Sequence, residues 1–208
     1  MKFLLLFLLL SCVILYAQER DPLALDAAKK IHRGIYKEIQ LYDFSKNPTG
    51  KILASRNYQI IFRKSNFYPA PILDSSYWEV RFYGNGPGQG QYRFKKPIEI
   101  YQHIRFLYIW VYGMHLPTTV HFLIEDTYGR IHLLKIGNLK FRGWRKLKVE
   151  VPDAIVQRDW SLGVQKTLKI IGLSIRTGSP APLKSARFFF IDNLSAYVRD
   201  KYKSPQKN

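Results

Sequence analysis

Thr119-Val120-His121-Phe122-Leu123-Ile124-Glu125, then Asp126-Thr127-Tyr128-Gly129, then Arg130-Ile131-His132-Leu133-Leu134-Lys135-Ile136 reads as two β-strands joined by a tight turn. Val, Ile, Phe and Thr suit a pleated, half-buried backbone, and strand side chains alternate between two faces. Asp at the first turn position offers its carboxylate to nearby amides, and Gly at the last tolerates the reversal. Pairing Glu125 with Arg130 puts Val120, Phe122, Ile124, Ile131 and Leu133 on one face, the expected core face. His121, Leu123, Glu125, Arg130, His132 and Leu134 take the other.

The same period of two runs outward through the chain. Tyr36–Tyr42, Tyr58–Arg63, Tyr77–Tyr83, Gln91–Tyr101, Arg105–Tyr112, Trp144–Val151, Leu168–Arg176 and Ala186–Asp192 are rich in Val, Ile, Tyr, Phe and Trp. Gly, Pro, Asn and Asp bound them. About ten short strands without interleaved helices predict an all-β protein, a sandwich or barrel. No repeat and no linker divides them, so residues 36–198 are expected to form one domain.

Both ends depart from this pattern. Met1-Lys2, the apolar run Phe3–Leu10 with its continuation Val13–Tyr16, and the polar Gln18-Glu19-Arg20-Asp21 read as a signal peptide over 1–17, cut between Ala17 and Gln18. Leu9-Leu10-Ser11-Cys12 also matches a loose lipid-attachment box, which keeps lipoprotein processing at Cys12 as an alternative. Asp21-Pro22 followed by Leu23, Ala27, Ala28 and Ile31 at helical spacing predicts a short amphipathic helix over about 22–34, within a lead segment 18–35. It reads either as a docking helix for a partner or as a lid on the sandwich or frayed lead segment. Residues 199–208 are expected to be a basic tail.

The charge is the strongest compositional signal. Among 208 residues, 33 are Lys or Arg and 15 are Asp or Glu, a net +18, while 47% are hydrophobic. That apolar share excludes a disordered basic tail. Export moves the expectation from nucleic acid to acidic surfaces outside the cytoplasm. Cys12 is the only cysteine, so a chain cut after Ala17 has no disulfide and depends on its apolar core.

Candidate chemistry is sparse. His121, His132 and Glu125 are the one set resembling a zinc site, but the histidines are diagonal across the hairpin and Arg130 faces Glu125, so no metal is expected. Gly84-Asn85-Gly86-Pro87-Gly88-Gln89-Gly90 leads into a strand rather than a helix, which fits a strand connection rather than a phosphate cradle. Glu79, Glu99, Asp126 and Asp192 are the carboxylates that could pair for glycoside hydrolysis. With no Gly-x-Ser-x-Gly elbow and no His-Glu-x-x-His, the chain reads as a non-enzyme that needs no cofactor. The densest basic run is Lys140-Phe141-Arg142-Gly143-Trp144-Arg145-Lys146-Leu147-Lys148. It reads equally as a strand with a solvated cationic side and as a contact surface, with Arg142, Arg145, Lys146 and Lys148 as candidate partner contacts.

Gly137-Asn138-Leu139 running into Phe141-Arg142-Gly143-Trp144-Arg145-Lys146-Leu147 and Val149-Glu150-Val151-Pro152, with Leu168–Ile175 and Phe188–Leu194 further on, resembles the FlaA family of spirochaetal flagellar filament outer-layer (sheath) proteins. The resemblance is best over 105–200, and Gly137, Gly143, Trp144, Pro152 and Asp192 are its structural motif positions. Phe190-Ile191-Asp192-Asn193-Leu194 also resembles the closing strand of jelly-roll carbohydrate-binding modules. The resemblance implies a jelly-roll β-sandwich, of the galactose-binding or carbohydrate-module type, with a short N-terminal helix. It further implies a periplasmic sheath subunit, or an accessory to the sheath, that coats the flagellin core and sets filament curvature and stiffness. The implied partners are flagellar core and other sheath proteins through acidic surfaces, with no nucleic acid and no integral membrane segment. The alternative is a module that binds periplasmic carbohydrate or peptidoglycan through exposed rings, with Tyr83, Tyr92, Tyr112 and Tyr128 as candidates.

Overall fold

Two antiparallel sheets enclose one apolar layer in the computed structural model, which describes residues 35–56, 58–71, 76–84, 87–158, 160–161, 164–178 and 187–202. Cys12, the Ala17–Gln18 cleavage site, the helix expected over 22–34 and residues 203–208 of the tail lie outside them. Ile35–Lys37 close an N-terminal unit, and the sandwich is the unit that begins at Glu38.

The strands are β1 (Lys37–Tyr42), β2 (Gly50–Ala54), β3 (Tyr58–Ser65), β4 (Tyr77–Gly84), β5 (Gly88–Ile100), β6 (His103–Met114), β7 (Thr118–Glu125), β8 (Ile131–Asn138), β9 (Arg142–Glu150), β10 (Trp160–Ser161), β11 (Val164–Gln165), β12 (Leu168–Thr177) and β13 (Arg187–Arg199). The first sheet runs β3-β4-β13-β6-β9 with β1 also on β13, and the second runs β2-β5-β12-β7-β8. Strands β10 and β11 form a small separate hairpin. The chain crosses between sheets at every connection except β3–β4 and β7–β8, passing from β9 to β12 by way of the β10–β11 hairpin, which is the winding of a jelly-roll sandwich. The fold is therefore the expected all-β jelly roll.

Alternation supplies the core. Ile104, Leu107, Ile109 and Val111 of β6 and Phe189, Ile191, Leu194, Ala196 and Val198 of β13 point inward from the first sheet. Val120, Phe122 and Ile124 of β7 and Ile170, Leu173 and Ile175 of β12 meet them from the second. Rings fill the end near β3 and β5: Phe62 lies 4.4 Å from Tyr92, and Trp78 lies 5.2 Å from Tyr92 and 5.0 Å from Phe44 between ring centres. Aromatic cross-packing of this kind adds to the area buried. At Gly172, where β12 bulges, a Cβ would collide with the Tyr92 carbonyl oxygen, so only glycine lets β5 approach.

The structure corrects the hairpin that opened the sequence analysis. Glu125 pairs with Ile131, not Arg130, and Phe122 pairs with Leu134. The loop closes one residue later: the Asp126 amide donates to the Arg130 carbonyl, the Gly129 amide donates to the Asp126 carbonyl, and Gly129 sits at φ 81°. This is a type I turn followed by a left-handed residue, the usual three-residue hairpin loop. A one-residue slip exchanges the faces of a strand. Leu134 and Ile136 are therefore buried, while Ile131 and Leu133 are exposed at 55% and 43%.

Two further differences concern strand extent. Gly50–Ala54, which has no alternation of its own, forms β2 against β5. Strand β13 does not end at Asp192 but passes through a bulge, with Asn193 at φ 43°, and continues to Arg199. The chain beyond is held as far as Lys201, a buried residue whose amine donates to the Arg158 and Lys166 carbonyls at 2.8 Å and 2.6 Å. Of the glycine-rich Gly84–Gly90 segment, Gly84 ends β4 and Gly88 already opens β5.

Candidate interaction surface

The basic run of the sequence forms β9, an edge strand of the first sheet. Its neighbour β6 pairs Tyr108 with Lys148 and Trp110 with Lys146, so these lysines rise from a face covered by aromatic rings. Lys148 Nζ lies 3.6 Å from the centre of the Phe106 ring, and Lys146 Nζ lies 4.8 Å from that of Tyr108. A ring face attracts a cation and holds its long stem in one place. Lys146 also donates to Glu38 Oε1 at 2.8 Å, and Ser195 donates to the same oxygen at 2.6 Å. These two bonds, Lys146 first, hold the Glu38 carboxyl below its ordinary pKa. Arg145 alternates to the other side, where its guanidinium lies 4.7 Å from the Phe141 ring centre. Arg142 is exposed at the start of the strand. The four predicted contacts thus share one strand but not one face, with Lys146 and Lys148 on the outer face of the first sheet.

The middle of that face is an aromatic cluster beneath the 66–71 loop. Tyr68 stacks on Tyr112 at 5.1 Å, and Phe190 packs against Tyr77, Tyr112 and Trp144. Trp144 Nε1 donates to the Pro69 carbonyl at 2.8 Å, and Tyr77 Oη donates to the Tyr68 carbonyl at 2.9 Å. These bonds fasten the loop to the sheet. Beyond the cluster, toward the β3 edge, Glu79 is buried and accepts from Arg63 Nε at 2.8 Å and from Arg81 Nε. The sequence marks Glu79 only as one of four possible acids, and it does not mark Glu38 at all. Neither spacing nor sequence neighbours point to Glu38, because its partners Lys146 and Ser195 are remote in the chain.

At the β7–β8 turn, Asp126 is buried with four donors on one carboxylate. Oδ1 accepts from the Tyr128 amide at 2.9 Å and the Arg130 amide at 3.0 Å, while Oδ2 is 2.9 Å from both Arg130 Nε and His132 Nε2. Burial alone would raise its pKa. The hydrogen bonds from His132, the Arg130 and Tyr128 amides and the Arg130 side chain outweigh burial and hold the carboxyl at about 2. That works against a general-acid role. Glu99 accepts from Tyr101 at 3.1 Å, and Asp192, buried in β13, accepts from the Asn193 amide at 2.8 Å.

The zinc-like set is divided by the corrected register. His121 and Glu125 face away from the core, whereas His132 pairs with inward-facing Ile124 and bonds Asp126. Glu125 takes Lys169, not Arg130, at 2.8 Å. Burial, then Arg176 and Lys135, push His121 below the usual imidazole value. Among the described residues no group of three or more His, Cys, Asp or Glu could hold a metal ion. No helix of the described residues is long and apolar enough to cross a membrane.

The motif positions have structural tasks. Gly143 lies at φ 88° where β9 begins, and Gly137 leaves 3.3 Å between its would-be Cβ and Leu147. The Pro152 carbonyl accepts from the Ile155 amide at 2.9 Å and closes the turn after β9. Of the four rings proposed for sugar, Tyr92 is in the core, its hydroxyl pushed up to about 12 by burial, and Tyr112 lies against Tyr68. Tyr83 is half-buried. Tyr128 is 52% exposed, between the guanidinium groups of Arg130 and Arg158 at 5.3 Å and 4.6 Å.

The protein is thus a jelly-roll sandwich whose first sheet carries cations and clustered rings on its outer face. The model of the FlaA family, flagellar filament outer layer protein, matches residues 53–203, and the chain belongs to that family. The match begins well before 105, so the family pattern also covers β3 to β5. A putative flagellar filament outer layer-like protein of Brachyspira hyodysenteriae is 23% identical over 101 residues, 49% of this chain and 46% of that protein. The aligned part thus spans about half the length of that relative. Among solved structures, the family 11 carbohydrate-binding module of Clostridium thermocellum is 8% identical, with a TM-score of 0.47, covering 79% of this chain and 98% of the module. The glycoside hydrolase domain of Endo-D from Streptococcus pneumoniae is 11% identical with a TM-score of 0.48, covering 76% of this chain and 22% of that one.

Proposed function

We propose that this protein is a non-enzymatic subunit of the periplasmic flagellar sheath, exported by its N-terminal signal, that coats the flagellin core. The observation that carries the reading is the family match across residues 53–203, which takes in both sheets of the sandwich. The mechanism is geometric: subunits bound to part of the filament's circumference load its two sides unequally, and the filament bends or stiffens. The cationic excess guides subunits to acidic sites on core or neighbouring sheath proteins. Arg142, Arg145, Lys146 and Lys148 are the proposed contacts, with Lys146 and Lys148 presented together on one face.

Mass spectrometry of purified periplasmic flagella tests the reading directly, and the protein is expected among their components. Filaments from a strain lacking it should differ in curvature or stiffness. Unchanged composition and shape would refute the sheath assignment. Binding to isolated filaments should also weaken as salt rises, since screening reaches about 8 Å at 0.15 M ionic strength.

A further inference from the structure

The β3 edge of the first sheet holds a groove unrelated to the β9 cations. On the outer face, β3, β4 and β13 place Arg63 opposite Glu79 and Glu79 opposite Phe190, and in the adjacent row Ile61, Arg81 and Phe188 lie side by side. Together with the 64–67 segment, Arg63, Glu79, Arg81, Phe188 and Phe190 line a groove of about 370 Å³. Its walls combine two kinds of surface. Phe67 is 79% exposed on the rim, and the Arg81 guanidinium lies 6.0 Å from the centre of the Phe188 ring. Arg63, Arg81 and Lys64 bring three positive charges, against the single carboxylate of Glu79.

The binding chemistry follows from how Glu79 is held. It is buried, and both arginines grip it through Nε. A guanidinium has five N–H donors in a rigid planar fork, so a bond through Nε leaves terminal amines for a second acceptor. Glu79 fixes the two forks in place and leaves the groove with surplus positive charge. An exposed phenylalanine on the rim of such a pocket offers an apolar side chain a place to rest.

We infer that this groove binds an acidic peptide segment of a partner protein, with a carboxylate on Arg63 and Arg81 and an adjoining apolar side chain against Phe67 and Phe188. A peptide segment suits the site better than inorganic phosphate, because beside its carboxylate it carries a side chain for the Phe67 and Phe188 rings. The apolar rim is of no use to inorganic phosphate. The inference does not depend on the sheath assignment: any partner that displays such a segment fits it.

The test is fluorescence anisotropy with the purified full-length protein and fluorescein-labelled Glu-Leu-Glu-Phe-Glu at low salt. Its Gln-Leu-Gln-Phe-Gln counterpart should bind far more weakly. Arg63→Gln should lower affinity about ten- to hundredfold, the worth of a hydrogen bond to a charged group. Phe67→Ala, on an exposed loop, should also weaken binding without disturbing the fold. Lys135→Gln on the second sheet, which removes equal charge elsewhere, should have little effect. Equal losses in Lys135→Gln and Arg63→Gln would show attraction to the overall charge and overturn the site, as would equal binding of the neutral peptide. Displacement of the peptide by inorganic phosphate or by polygalacturonate at comparable concentration would overturn the peptide assignment. Peptide binding in a protein absent from purified filaments would sink the sheath reading and leave this one standing.

Discussion

Replacing Asp126 by asparagine should remove a pH-dependent part of the stability of the sandwich while keeping the turn that builds it. The amide side chain would retain one oxygen for the Tyr128 and Arg130 amides, which Asp126 Oδ1 now accepts at 2.9 Å and 3.0 Å. What disappears is the charge facing Arg130 and His132. The Asp126 carboxyl falls from 3.8 to about 2 on folding. At about 1.36 kcal/mol per pKa unit, the depression is worth about 2 kcal/mol at neutral pH. The sign follows from linkage: a depressed folded pKa stabilises the protein above the unfolded pKa, and the benefit is lost as pH falls through the folded value. At pH 2.5 the same two constants leave less than half of it.

Urea unfolding of both proteins across this range is the assay. The wild type should exceed Asp126→Asn by about 2 kcal/mol at pH 7, a melting difference of about 4–8 °C for a chain of this size. The gap should shrink by more than half on moving to pH 2.5. Other carboxylates titrate in both proteins and cancel in the difference. A gap that stays constant between pH 7 and pH 2.5 would refute the reasoning, because the charge of Asp126 would then contribute nothing to the fold.

Three other outcomes follow from particular contacts. Trp144→Phe removes the donor to Pro69 and should cost about 1 kcal/mol, with faster proteolysis in the 66–71 loop as the readout. Gly172→Ala pushes a methyl group into the Tyr92 carbonyl and should cost about 1–3 kcal/mol or more, measured as a fall in the urea midpoint without a change of slope. A double-mutant cycle on Glu38 and Lys146 should return a coupling of about 1 kcal/mol or less, since both side chains are more than a third exposed, and a coupling several times larger would show a desolvated pair.

The period of two was enough to find the strands and the class of fold, because inward residues such as Ile109, Val111, Phe122 and Ile175 must be apolar wherever a sheet covers a core. The motif from Gly137 to Pro152 was enough to find the family. What escaped was set by contacts between distant residues. Strand β2 has no pattern of its own and exists through pairing with β5. The register of β8 depends on the carboxylate of Asp126 drawing in the Arg130 amide, which makes a three-residue loop of what looked like a four-residue one. Asp192-Asn193 looks like a strand end because both residues favour turns, yet the buried Asp192 accepts from the Asn193 amide, Gln40 donates to Asn193 at 2.8 Å, and the strand goes on through the bulge. Tyr92 failed as a surface ring for the same reason: its face is settled by its partners across β5 and β12, not by its type.

The placement of charge constrains what can bind. Lys146 and Lys148 stand on β9, at one edge of the first sheet, and Arg63 stands on β3 at the other, with β6, β13 and β4 between them. Four interstrand steps at about 4.8 Å separate the two edges by about 19 Å. That is more than twice the screening length of about 8 Å at physiological ionic strength, so each end attracts an exposed partner charge almost independently of the other. Between them the surface is aromatic and capped by the 66–71 loop, which offers shape rather than charge. A short ligand therefore senses one end only. An extended acidic surface such as a filament wall can engage both, and the sum of two weak attractions then sets the orientation of the subunit as well as its affinity. On the proposed sheath role, the cations of these two edges would act as two separate contacts with a fixed spacing, a property that a count of Lys and Arg does not contain.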